Sequence, residues 1–255
     1  MKIVSKVPKK VNELLNAMTT DLPIVLGSDL AGIYLYGSLT QNAFNPKRSD
    51  IDCVIVTKSE LTDARLDALA HWFAETARSN EWTTRLQASI LIRDEVLLMN
   101  SPGCLYQFGK LKRSGSDGNP IFWLNILESG GTLYGEPPQA FVPEITREMV
   151  LEALQREADY IRDEFANPKS EWRDKPKYRA YAALTLCRIL YTQAKNKIAS
   201  KSRAAIWAFR KLPAEFHQII RQAITAETDD GIGDIPLKTI LKMIDYAHAK
   251  LGYRN

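Results

Sequence analysis

The amino-acid sequence predicts an α/β domain over residues 1–144 followed by an all-α helical-bundle domain over residues 145–255. Three observations carry that reading. Short apolar runs rich in β-formers alternate with a helical pattern up to about residue 92; Gly and Pro concentrate between residues 100 and 142; and from residue 146 onward apolar residues recur at three- and four-residue spacing. The length of 255 residues also exceeds the ~100–200 that one domain ordinarily occupies.

The elements follow in order. A first helix is expected near residues 8–20. The run Ala31-Gly-Ile-Tyr-Leu-Tyr36 closes on Gly37-Ser38, a buried strand entering a tight turn. Asp50-Ile-Asp-Cys-Val-Ile-Val56 is acidic at alternate positions and then continuously apolar, a second buried strand whose first residues face a cleft. Ser59-Glu-Leu-Thr62 opens a helix reaching about Ser79, and Thr84 to Ile92 alternates as a third strand. Residues 100–142, with SGSDGNP at 114–120 and GGTLYGEPP at 130–138, are expected as loops flanking a short helix near Ile121–Leu127. Helices are then expected over 146–165, 177–194, 202–209, 214–226 and 237–251.

Composition narrows the function. An apolar share of 45% with 25% charged residues is that of an ordinary globular protein. The net charge of +4 is spread among acids, with no long basic run, which favours phosphate chemistry and makes a nucleic-acid partner an unfavoured reading. Cys53, Cys104 and Cys187 lie far apart and form no CxxC pair, so neither a disulfide framework nor a zinc site is indicated. MKIVSKVPKKVNELL contains no apolar signal core, and no apolar run approaches the ~20 residues of a membrane span. A cytoplasmic location without membrane association is therefore expected. Neither a Walker lysine motif nor GxGxxG follows a strand, leaving P-loop and dinucleotide readings without support.

The chemistry concentrates in Ser49-Asp50-Ile51-Asp52. Carboxylates two apart on a strand project from one face while Ile51 points to the core. Held close together they repel unless a cation sits between them, and a hard divalent ion such as Mg²⁺ takes oxygen ligands of this kind. DxD alone is weak evidence; a strand ending in Gly-Ser, a short loop and then acid-apolar-acid is a more specific arrangement.

Leu35-Tyr36-Gly37-Ser38 and Asp50-Ile51-Asp52-Cys53 resemble the paired motif of the nucleotidyltransferase superfamily. A narrower resemblance, to aminoglycoside adenylyltransferases of the streptomycin/spectinomycin class, rests on YLYGSLTQNAFNPKRSDIDCVIV, Gln107-Phe108-Gly109, LTLCRILYT at 184–192 and KIASKSRAAIWA at 197–208. It implies a nucleotidyltransferase domain with a mixed sheet, followed by a helical domain closing on nucleotide and substrate. It further implies ATP as co-substrate, one or two Mg²⁺ ions on Asp50 and Asp52, and a small-molecule acceptor of the aminoglycoside kind. Gly37, Ser38 and Ser49 would serve the phosphates, and Arg188 and Lys201 would meet the triphosphate from the helical domain. The family's general-base carboxylate falls on Gln87, whose amide cannot accept a proton, and the family's drug-binding positions fall on Leu111, Tyr178 and Tyr181. Two functional expectations follow: Mg-dependent transfer of AMP from ATP to a small-molecule acceptor, or, because of Gln87, a catalytically weak or silent ATP-binding regulatory protein.

Overall fold

The computed structural model describes residues 7–228 and 235–252. The chain divides into two compact units, Met1–Glu144 and Ile145–Asn255. Among the described residues the first unit runs α1 (Lys9–Leu26), β1 (Leu30–Tyr36), β2 (Ile51–Thr57), α2 (Asp63–Ser79), β3 (Leu86–Ile92), β4 (Met99–Gln107), β5 (Lys110–Asp117), α3 (Pro120–Ser129) and β6 (Gly131–Gly135).

The six strands form one sheet in the order β5-β4-β3-β2-β1-β6. Of these neighbours β2 and β3 pair in parallel and the rest are antiparallel, so the sheet is mixed. The parallel pair needs a crossover, and α2 supplies it. Thr62 caps that helix, its hydroxyl accepting from the Arg65 amide, with Asp63 in the first turn and Arg78 in the last to complement the helix dipole. The apolar stripes of α1 (Val11, Leu14, Leu15, Met18, Leu22) and α2 (Leu69, Trp72, Phe73) share one core with Ile33, Leu35, Cys53, Ile55, Ala88, Ile90 and Tyr106 of the sheet. Phe73 stacks on Tyr106 at 3.7 Å between ring centroids. Helix α1 extends to Leu26, past the expected end near residue 20, with Pro23 inside it.

The segment expected as loops is the main correction. Residues 100–142 hold most of β4, all of β5 and β6, and α3. Glycine and proline serve the sheet here instead of interrupting it. Pro102 sits where the β4–β5 register shifts, a place a strand tolerates proline. At Gly103 a Cβ would lie 2.7 Å from the Ile90 carbonyl oxygen, so the missing side chain allows close strand approach. Phe108 and Gly109, both at positive φ, make the two-residue turn between β4 and β5.

The second unit is helical: α4 (Arg147–Ala166), a single turn α5 (Glu171–Asp174), α6 (Pro176–Lys195), α7 (Lys201–Lys211), α8 (His217–Thr228) and α9 (Leu237–Gly252). Helix α6 buries Ala180, Ala182 through Cys187 and Ile189 through Thr192, apolar on nearly every side, as befits the central helix of a bundle. Asn196, at φ 50°, terminates it in the left-handed conformation. Among the described residues no helix is long and apolar enough to cross a membrane.

Candidate active site

Three strand ends converge at one edge of the first unit. Tyr36, the last residue of β1, lies opposite Asp52 of β2, and Asp52 lies opposite Gln87 of β3. Past Tyr36 the chain turns at Gly37, whose φ of +75° disfavours any L side chain. A Cβ there would stand 2.1 Å from Asp52 Oδ2, so glycine is required for space as well as for conformation. The turn is tethered from behind. Thr40 Oγ1 and the Gln41 amide both donate to the Gly37 carbonyl at 3.1 Å. The Gln41 side-chain amide donates to Asn125 Oδ1 at 2.9 Å, and that oxygen also accepts from the Ser129 hydroxyl at 3.0 Å. Asn125 is buried on α3, so its hydrogen bonds fix α3 to the Gly-Ser turn.

The loop from Thr40 to Asp50 carries the second half of the site. Asn45 and Ser49 close it on themselves: the Asn45 amide donates to Ser49 Oγ at 2.9 Å and the Ser49 amide to the Asn45 carbonyl at 2.8 Å. Arg85 pins it, donating to the carbonyls of Pro46 (2.8 Å) and Ser49 while its guanidinium lies 4.3 Å over the Trp82 ring. Sequence reasoning misses Arg85, because nothing short of the path of the loop points to it. Ser49 therefore holds the loop, and its hydroxyl keeps a hydrogen to donate. Gln87 Nε2 donates to Asp50 Oδ2 at 2.8 Å, placing the amide against the first carboxylate.

The electrostatics follow from this packing. Burial pushes the Cys53 thiol far above its ordinary value, and the neighbouring Asp52 charge adds to the shift. Ser38 Oγ is buried without a hydrogen-bond partner. A buried hydroxyl left unpaired carries a desolvation cost that a ligand oxygen could relieve. Two carboxylates and a hydroxyl are hard oxygen donors, and they suit Mg²⁺. Among the described residues no group of three or more His, Cys, Asp or Glu side chains could hold a metal. A magnesium ion here would thus be held by Asp50 and Asp52 and would complete its shell from phosphate and water.

The other residues singled out by the sequence belong to the second unit or to β5. Arg188 is half-buried on α6, two turns beyond Tyr181 and on the same stripe of that helix. Lys201 opens α7, with its ammonium 5.6 Å over the Tyr181 ring. Tyr178 stacks on Trp172 at 5.6 Å and Tyr181 meets the same ring edge-on at 5.5 Å, giving an aromatic cluster. Leu111 does not share the sheet face of Asp52 and Gln87. It is opposite Tyr106 and packs against the core with it.

Comparison with known proteins agrees with this anatomy. Residues 11–91 match the nucleotidyltransferase domain, and residues 141–247 match the C-terminal domain of aminoglycoside adenylyltransferase. Spectinomycin 9-adenylyltransferase of Campylobacter jejuni is 25% identical over 235 residues, spanning 86% of this chain and 85% of that protein. Aminoglycoside (3'') (9) adenylyltransferase of Klebsiella pneumoniae is 24% identical over 245 residues, 89% of this chain and 88% of that protein. The crystal structure of a spectinomycin adenyltransferase from Enterococcus faecialis, solved with ATP and spectinomycin, superposes with a TM-score of 0.71 at 19% identity, covering 95% of this chain and 98% of that one. The chain therefore carries a nucleotidyltransferase domain followed by an aminoglycoside adenylyltransferase C-terminal domain, and is homologous to the spectinomycin and aminoglycoside adenylyltransferases.

Proposed function

We propose that the protein transfers AMP from ATP to a small-molecule acceptor and releases pyrophosphate. The observation that carries this reading is the convergence of Asp50, Asp52 and the Gly37 turn: a glycine whose Cβ would occupy the space of a metal-type carboxylate, beside a buried Ser38 hydroxyl with no partner. Asp50 and Asp52 hold Mg²⁺, one or two ions, in this proposal. When bound, that metal offsets charge on the triphosphate. Gly37 lets the phosphates approach the backbone, Ser38 and Ser49 donate hydroxyl hydrogens to phosphate oxygens, and Arg188 and Lys201 supply cations for the triphosphate. Rate then comes from orientation and preset charge. The sequence relatives are named as adenylyltransferases, and the structural neighbour was solved with ATP. Their acceptors are spectinomycin and aminoglycosides by name; for this chain the acceptor is proposed only as a small molecule.

The test is replacement of either carboxylate. Asp50→Asn and Asp52→Asn should each abolish magnesium-dependent ATP binding in calorimetry while circular dichroism shows the fold intact. Unchanged Mg-ATP affinity in both variants refutes the assignment. A second reading, a regulatory protein that binds ATP without turnover, is favoured by one observation: Gln87, not a carboxylate, contacts Asp50. Pyrophosphate release separates the two, since a silent binder holds Mg-ATP and releases none with any acceptor.

A further inference from the structure

The face of the sheet turned away from α1 and α2 has an unusual charge pattern beside the catalytic carboxylates. Side chains directly opposite one another share a face, and those two apart along a strand share it as well. Asp52 is opposite Gln87; Ser89, two residues on, is opposite Leu105, which is opposite Lys112; Gln107 is opposite Lys110. Asp52, Gln87, Ser89, Leu105, Gln107, Lys110 and Lys112 therefore line one face, while Ala88, Cys104, Tyr106 and Leu111 point into the core. The turn at Phe108-Gly109 brings Lys110 to the same end of the sheet as Gln87.

Lys110 and Lys112 are exposed and make no ion pair with a described residue. The third cation of β5 is engaged on the opposite face: Arg113 bonds Glu60 at 3.0 Å and Asp63 at 2.6 Å. From β3 to β5 is two strand spacings, roughly 10 Å, a gap that a small bound molecule and the lysine stems can span. Gln87, nearest the carboxylate pair, is neutral, and its amide nitrogen is committed to Asp50. A polycationic acceptor on this face would meet two ammonium groups, and a hydroxyl acceptor would find an amide where a proton acceptor is needed.

Resting on the adenylyl-transfer reading above, we propose that the acceptor is a small anion, that its reacting atom is an already ionised carboxylate or phosphate oxygen, and that Lys110 and Lys112 select it. The oxyanion forms a bond to the α-phosphorus of ATP. The bond from that phosphorus to the bridging oxygen breaks, and pyrophosphate leaves with the electron pair. No proton is removed from the nucleophile, so Gln87 is not a defect but a neutral neighbour that spares the oxyanion a like charge. Lysines on an edge strand also keep foreign strands from pairing; that role alone would leave acceptor kinetics untouched.

The experiment measures pyrophosphate release by the full chain with Mg-ATP. One arm offers carboxylates (succinate, citrate), a second offers phosphomonoesters (glycerol 3-phosphate, inorganic phosphate), and a third offers streptomycin, spectinomycin and neutral sugars. Mg-ATP binding is measured on the same samples. Turnover confined to one of the anion arms is expected, and it identifies the oxyanion. Lys110→Ala and Lys112→Ala should each raise the KM for that anion about tenfold, the scale of a hydrogen bond to a charged group, with ATP affinity unchanged. Gln87→Glu should lower turnover of the anion. Turnover only in the third arm overturns the proposal, as does an anion KM unmoved by both lysine variants. Intact Mg-ATP binding with no anion accepted overturns this inference alone; absent Mg-ATP binding overturns the adenylyl-transfer reading beneath it.

Discussion

Replacing Gly37 by alanine separates what the turn does for stability from what it does for the site. At φ +75° an L-residue costs on the order of 1–2 kcal/mol of folding stability. That should lower the melting temperature by roughly 5 °C. The added methyl would also stand 2.1 Å from Asp52 Oδ2, about 1.3 Å short of ordinary contact. The obstructing atom is the far end of a short flexible side chain, so the clash is relieved by rotating the Asp52 carboxylate, not by unfolding the strand. A misplacement of ~1 Å at a reacting centre can cost ~10²-fold in rate. Gly37→Ala is therefore expected to fold, to melt a few degrees early, and to lose magnesium-dependent ATP affinity and pyrophosphate release by about that factor. Circular dichroism melts, calorimetry with Mg-ATP and a pyrophosphate assay measure the three quantities. Parental Mg-ATP affinity in a folded variant with the expected thermal shift would refute the claim that Gly37 makes room for a working Asp52.

Further predictions concern charge and protonation. Arg188→Ala and Lys201→Ala should each weaken ATP much more than AMP, since both are proposed to meet the triphosphate; equal losses, or none, remove them from that role. With a hydroxyl acceptor, Gln87→Glu supplies a proton acceptor of nearly the same volume and should raise turnover by ~10²–10⁴; no gain with an acceptor shown to bind means that a missing base is not what limits the enzyme. Burial, reinforced by the Glu136 charge, pushes the Tyr34 phenol up to about 12, while its hydroxyl donates to the Glu136 carbonyl at 2.8 Å. Below pH 10 both folded and unfolded states keep that proton and the stabilisation is complete. Between about 10 and 12 the unfolded state ionises first, so stability falls as pH rises, by on the order of 2–3 kcal/mol in all. Urea unfolding across pH 9–12 should show a smaller decline for Tyr34→Phe than for the parent; equal declines would show that Tyr34 does not carry it.

Legibility of the fold depends on whether a local pattern has one physical meaning. Helical spacing after residue 146 has only one, and the expected segments at 177–194 and 237–251 fall within α6 and α9. The β1 and β2 runs are readable for the same reason: Leu35 and Ile55 are buried apolar residues on strands, the first ending just before Gly37 and the second beginning just after Asp50. Glycine and proline have two meanings. At 102–103 and 130–131 they allow a register shift and close backbone approach inside or beside strands, and that use cannot be told from a loop without the neighbouring strand. The site divides along the same line. Asp50, Asp52 and Gly37 announce themselves by spacing, but Arg85 acts through the carbonyls of Pro46 and Ser49, and Asn125 through Gln41, across separations that no sequence window covers. The facing of Leu111 is likewise set by register: its partner Tyr106 takes it against the core.

Strand β6 has a consequence for how the first unit is made. It is the last strand of that unit in sequence, yet it pairs with β1, the first, and Tyr34 reaches across 102 residues to the Glu136 carbonyl. A chain emerging from the ribosome can pair β1 with β2, and β2 with β3, as each appears. The other edge of β1, carrying Ile33, Tyr34 and Leu35, stays uncovered until residues 131–135 arrive. At ~5–20 residues per second, the roughly one hundred residues in between take on the order of 5–20 s to synthesise. For that interval an apolar strand presents unpaired backbone groups to any other nascent chain nearby. Truncations ending between β5 and β6 should therefore be the lengths at which this protein aggregates most readily, and restoring the five residues of β6 should suppress that aggregation out of proportion to their size.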